Sequence, residues 1–232
     1  MRAPRPFRRL AFLAMRRPHR LAAALALALL AARGAGAAEA AAKTATPTLE
    51  ALMAGMSKTS GVMAGFLERK RIALLSEPIE THGQLVFVPP DHLVRTTESP
   101  SRSRLVIAGE RVAFHDAAGG DSVDLSANPI AREFVENFIV LFNGDLEKLK
   151  ERYEPEFSAS GSGWKLALAP RHRPLADVVE RITLSGEGTQ LTRMQMLERD
   201  GDETTTTFSN VVVDRHFSPE EIERLFALSG PE

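Results

Sequence analysis

The chain has 232 residues, 44% apolar and 25% charged, and contains no cysteine. That composition is globular, and the lack of cysteine excludes disulfides, thiolate metal centres, cysteine nucleophiles and lipidation on an N-terminal cysteine. The net charge of −1 conceals a basic leader, because residues 1–40 hold eight arginines and one acid; the remainder sets 21 basic against 29 acidic residues, about −8, which argues against nucleic-acid partners and against attachment to anionic lipid surfaces.

Residues 1–40 combine an arginine-rich start, the apolar run 21–32 and a small-residue tail with two A-x-A patterns, Ala35-Gly36-Ala37 and Ala38-Glu39-Ala40. Twelve apolar residues are too few to cross a bilayer, which takes about 20, but they suit the core of a signal peptide. Export with cleavage near residue 37 or 40 is expected, which places the mature chain, 41–232, in the periplasm. The pairs Arg8-Arg9 and Arg16-Arg17 lack a full twin-arginine motif, so the general secretory route is the simpler reading.

A tether spans 38–46, and after Pro47 the positions 49, 52, 53 and 56 share one face of a short helix. From 62 to 75 a long strand is expected, with Phe66, Glu68, Lys70 and Ile72 on one side and Leu67, Arg69 and Arg71 on the other. Charge on both faces implies that one end of it runs into water. Short strands follow at 83–88, 92–97, 104–107 and 111–115, separated by Pro, Gly, Asp and Ser turns, so they pair as antiparallel neighbours. The Gly-rich segment 117–121 is expected to end this sheet.

Asn128 then caps a helix with Pro129 at its first position, which Asn143-Gly144 stops; a second short helix covers 146–153. Within this insert, about 128–153, Phe134, Phe138 and Leu141 form one stripe and Val135, Ile139 and Phe142 an adjacent one, so the helix is apolar nearly all round. It is either a plug of the core or a lid over an apolar cavity. Strands return at 156–160, 164–169, 178–184, 191–197 and 204–213, and Ser218, Pro219 and Glu221 open a last helix with a capping box. Nothing in the pattern divides the mature chain into two domains or repeats within it.

No catalytic signature is present. Gly161-Ser162-Gly163 is not G-x-S-x-G, Gly186-Glu187-Gly188 lacks the rest of a dinucleotide fingerprint, and neither H-E-x-x-H nor a phosphate loop occurs. His115-Asp116 with Asp121 and Asp124 reads as solvated turn chemistry, Asp200-Gly201-Asp202-Glu203 as a hairpin turn, and His82, His92, His172 and His216 have no ligand spacing. A non-enzymatic protein without metal or cofactor is expected.

Phe66-x-Glu68, Leu75-x-x-Pro78, Gly83-x-Leu85-x-Phe87-x-x-Pro90, Leu93, Pro100, Leu105-Val106-Ile107 and Gly109-x-x-Val112 occur in an order that resembles the LolA-like periplasmic carriers of outer-membrane lipoproteins. The resemblance implies an α+β fold, an unclosed antiparallel β-barrel of about 10–11 strands capped by a helical lid, in a single domain. It further implies a monomeric carrier that shields lipoprotein acyl chains in an apolar cavity and touches an inner-membrane releasing transporter and an outer-membrane receptor transiently. The lack of cysteine favours the soluble carrier over the lipidated receptor. Two positions depart from the pattern: Pro89 stands where the carriers have a lid-holding arginine, and Val94 and Arg95 stand where an aromatic is usual. A non-lipoprotein lipid, such as a glycolipid or an acylated polyene, is therefore an alternative cargo, and a lipid-sensing interaction domain an alternative role. The expected cavity lining is Phe66, Leu85, Phe87, Val106 and Phe114 from the first half and Ile182, Met194, Met196 and Phe208 from the second, with Phe134, Phe138, Ile139 and Phe142 from the lid. Methionine adapts its shape cheaply to varied chains.

Overall fold

The computed structural model describes residues 47–188 and 190–228; the leader, its cleavage sites and the tether lie outside the described residues. Helix α1 (Leu49–Met56) starts where the Thr48 hydroxyl oxygen accepts from the Ala51 amide at 3.2 Å, and it buries Leu49, Leu52, Met53 and Met56. Strands β1 (Val62–Arg71), β2 (Ile79–Val88), β3 (His92–Ser99), β4 (Ser103–Ala108), β5 (Arg111–Asp116) and β6 (Gly119–Asp124) form a continuous meander. A single 3-10 turn (Leu125–Ala127) leads into α2 (Pro129–Asn143) and α3 (Leu146–Arg152). Strands β7 (Tyr153–Ser160) and β8 (Gly163–Pro170), the turn of helix α4 (Leu175–Val178), and strands β9 (Val179–Glu187), β10 (Gln190–Glu198) and β11 (Glu203–Val213) make a second meander, followed by α5 (Pro219–Leu225).

Both meanders belong to one antiparallel sheet of 11 strands in the order β6-β5-β4-β3-β2-β1-β11-β10-β9-β8-β7. The first and last strands, β1 and β11, zip together at its centre, with Phe66 opposite Phe208 and Glu68 opposite Thr206. The free edges are therefore β6 and β7, the two strands that flank the helical insert, and the sheet stays open. The chain crosses from one edge to the other through α2 and α3. Backbone donors and acceptors along an unpaired edge invite further pairing; on β7, Pro155 removes one donor from that edge.

Strand periodicity sorts the side chains into two layers. On β1 the residues Val62, Ala64, Phe66, Glu68 and Lys70 are buried in alternation. The inner face packs with α1, α2 and α3 into the main core, which draws on β1 to β5 and β7 to β11. The outer face of β2, β3 and β4 has its own smaller cluster, Val86, Val94 and Val106, covered by Phe226 of the C-terminal segment. The Arg104 guanidinium donates to the carbonyls of Leu225 and Ala227 at 2.8 and 2.9 Å and holds that segment down.

One expectation is corrected and another narrowed. The Gly-rich segment does not end the first sheet, because Gly119 and Gly120 begin β6 and pair with Asp116 and His115. A Cβ on Gly120 would lie 2.0 Å from Nδ1 of His115, so glycine here permits a close ladder rather than a loop. The charged end of β1 meets water on one face only: the strand stops at Arg71 with Leu67, Arg69 and Arg71 exposed, while Glu68 and Lys70 are 4% and 7% exposed on the inner face.

Candidate functional site

Helix α2 is the element that covers the inner face. Asn128 accepts the Ala131 amide at 3.0 Å, Pro129 occupies the first turn, and Gly144 ends the helix at φ 64°. Both expected stripes are buried, with Val135, Phe138, Ile139, Leu141 and Phe142 in the core and Phe134 half-buried against it. The Phe142 and Phe87 rings meet at 5.0 Å between centroids.

Twelve of the thirteen expected lining residues come together. Phe66, Leu85, Phe87, Phe138, Ile139, Phe142, Ile182, Met194, Met196 and Phe208 share the main core, and Phe114 and Phe134 pack on it half-buried. Val106 does not join them: it sits in the outer cluster, because β4 presents Leu105 and Ile107 inward and Val106 outward. The apolar crevice between α1, α2, α3 and strands β8 and β9, lined by Leu52, Met53, Met56, Leu141, Leu149, Trp164, Leu166 and Leu184, has a volume of about 10 Å³. Drug-sized ligands occupy pockets of roughly 300–1,000 Å³.

The anchors of α2 lie at its ends and along its polar edge. Asn143 Nδ2 donates to the Pro90 carbonyl at 2.8 Å, beside the Pro89 position where the resemblance assigns a lid-holding arginine. The buried Tyr153 hydroxyl donates to the Asn137 carbonyl at 2.8 Å, and burial pushes its pKa up. Arg152 pairs with Glu133 at 2.8 Å and with Glu136. The Gly144 backbone lies so near α1 that a Cβ would stand 2.3 Å from the Met53 carbonyl oxygen. The helix is thus tied to the β2–β3 turn, to β7 and to α1.

Beyond the apolar floor, the inner face ends in a charged belt that sequence reasoning missed. Arg95 Nη2 lies 3.0 Å from Glu68 Oε1, with side chains 7% and 5% exposed, and the guanidinium stacks 4.4 Å from the Phe66 ring centroid. Thr81 and Thr206 donate their hydroxyls to Glu68 at 3.4 and 3.3 Å. Burial pushes the Glu68 carboxyl above its ordinary value, opposed by Arg95 and by those hydrogen bonds, and burial likewise pushes Arg95 down. Two residues along β1, Lys70 Nζ lies 2.6 Å from Glu198 and 3.6 Å from Asp202. The carboxylates of Glu198, Asp200 and Asp202 gather within 4.8 Å of one another, and the Lys70 ammonium supplies positive charge among them. The alternation of Phe66, Glu68 and Lys70 with Leu67, Arg69 and Arg71 already placed both charges on one face; the pairing of Glu68 with β3 was invisible because it spans two strand registers.

Of the positions read as turn chemistry, Asp116 and Asp124 cap local amides from the ends of β5 and β6, whereas His115 lies within β5 and reaches the C-terminal segment. Asp116 accepts the Ala118 amide at 2.8 Å, Asp124 accepts the Ser126 amide at 2.8 Å, and the His115 ring meets the Leu228 carbonyl at 2.8 Å.

Residues 37–215 match the family model of the outer membrane lipoprotein carrier protein LolA-like family. The chain belongs to this family. No curated protein matches the sequence. Among solved structures, the LolA-like chain is similar to a DUF1329 family protein from Desulfovibrio piger, with 12% identity over 75% of this chain and 94% of that one, at a TM-score of 0.47. It is also similar to a LolA superfamily protein from Nitrosomonas europaea (9% identity, 76% and 97% coverage, TM-score 0.42) and to LprF from Mycobacterium bovis (12% identity, 80% and 100% coverage, TM-score 0.40).

Proposed function

We propose that the protein is a soluble periplasmic carrier that shields the acyl chains of a lipoprotein or a related lipid beneath α2 and ferries them from the inner to the outer membrane. One observation carries the reading: in a LolA-like chain, an extended apolar sheet face is covered by helices, the longest of which, α2, is apolar on two adjacent stripes. Exposing an acyl chain to water costs about 0.8 kcal/mol per methylene, so transit between membranes requires a sheath. Phenylalanine and methionine walls provide one without covalent chemistry. The leader, read as a signal peptide, supports export, and the contacts with a releasing transporter and a receptor would be transient. The twelve gathered residues form the sheath, with Leu105 and Ile107 taking the place expected of Val106.

The test is native mass spectrometry of the protein purified from its exporting host, followed by organic extraction and lipid analysis. Acylated species should copurify, and Phe138→Asp, verified as folded by circular dichroism, should lose them. Protein that carries no lipid and takes up no acyl probe would defeat the carrier reading.

A further inference from the structure

The Glu68–Arg95 pair links β1 to β3 across β2, yet a buried ion pair is a poor means of stabilising a sheet. Desolvating two charges costs several kcal/mol per ion, and well-packed apolar residues usually replace such a pair at no loss of stability. The pair stands at a boundary: on one side the inner face is apolar, with Phe66 and Phe208 on the central strands and Leu85 and Leu105 as the cross-strand partners of Arg95, and on the other lie Thr204, Thr206 and the Lys70–Glu198 pair. The pair is also unequally satisfied. Glu68 accepts from Thr81 and Thr206 and is ion-paired with Arg95 Nη2 at 3.0 Å, whereas among the described residues neither the buried Nε nor Nη2 of Arg95 has a hydrogen-bond acceptor in good geometry. The Thr204 hydroxyl, on the same face of β11, is buried without a partner as well. An apolar floor thus ends in spare donors.

We propose that Arg95 is the polar anchor of the carrier, donating to the ester or amide carbonyls at the head of a bound acyl lipid whose chain lies along the Phe66–Phe208 floor. This rests on the carrier reading and narrows its cargo class. A carbonyl is the matching acceptor because the guanidinium is already neutralised by Glu68 3.0 Å away. A fatty-acid carboxylate in the same place would meet the Glu68 charge, and a plain hydrocarbon would leave Nε unmet.

Displacement of fluorescent methyl cis-parinarate from the full mature protein by methyl laurate, laurate and dodecane tests the anchor. Methyl laurate should displace the probe at about tenfold lower concentration than the other two, the worth of one hydrogen bond to a charged donor. The Glu68→Met/Arg95→Met double variant should lose that preference. Arg95→Lys, which retains the charge but not the Nε donor, should lose it too and guards against a double variant that does not fold. Equal displacement by all three ligands, or a preference that survives in both variants, would overturn the anchor while leaving the carrier standing. Failure of all ligands, the parinarate included, to bind would overturn both.

Discussion

Gly144 shows how much one backbone position decides. It has a left-handed φ of 64°, and its missing side chain leaves room for the Met53 carbonyl and the Ser57 amide of α1. Gly144→Ala meets a conformational penalty of about 1–2 kcal/mol and a backbone overlap as well. Urea unfolding should show a loss of about 2–4 kcal/mol, in the upper range for single substitutions. Arg95 gives a second residue-scale outcome with a pH signature. Arg95→Met leaves the Glu68 carboxylate buried without its counter-charge, a loss of about 3–5 kcal/mol that the double Glu68→Met/Arg95→Met variant recovers. Burial already lifts the Glu68 carboxyl above 4.5, and removing Arg95 lifts it further. The folded state of Arg95→Met then holds the proton to a higher pH than the unfolded chain does. Its stability is greatest below the unfolded value and falls as pH rises through the folded one. The deficit of Arg95→Met against the parent should therefore widen from pH 4 to pH 8 in denaturant titrations.

At the scale of elements, α2 is anchored by packing more than by polar contacts. Phe142→Ala removes the ring that meets Phe87 and should cost about 3–5 kcal/mol, whereas Asn143→Ala deletes one hydrogen bond to the Pro90 carbonyl and should cost about 1 kcal/mol. Hydrogen exchange should report the second as faster opening of α2 with the strands unaffected. Most elements were legible from sequence because each carries a local signature. The α2 helix is framed by Asn128, Pro129 and Gly144, and α5 by the Ser218–Glu221 capping box, in which both reciprocal hydrogen bonds form. Strand β6 was not legible, since Gly119 and Gly120 have no side chains to alternate and read as loop. The face assignment of Val106 also failed for a physical reason. Leu105-Val106-Ile107 is buried on both sides, because α5 covers the outer face while α2 covers the inner one, and an uninterrupted apolar run carries no phase.

In the whole molecule, long-range pairing dominates. The β1–β11 ladder joins strands separated by most of the described chain, so folding must close a long loop before the sheet is complete. The matched family region ends at residue 215, ahead of α5, yet α5 and the residues around it close the outer face through Phe217, Ile222, Leu225 and Phe226. Arg104→Met should release the two carbonyl contacts with this segment. Exchange at 219–228 should then accelerate while β1 and β11 remain protected; unchanged exchange there would show that apolar packing alone suffices.

For the proposed carrier, the packing of α2 on the sheet would set a particular thermodynamics. With the Phe142 ring seated on Phe87, α2 covers the inner face beside it, and on the proposed carrier role an acyl chain would be its competitor there. Apparent affinity then equals intrinsic affinity reduced by the fraction of molecules in which the helix has moved aside. Every 1.4 kcal/mol by which α2 grips the sheet makes uptake about tenfold weaker and surrender to the next acceptor correspondingly easier. Substitutions that loosen the helix without altering the sheath should move stability and lipid affinity in opposite directions, so that Asn143→Ala yields a less stable protein that holds its lipid longer.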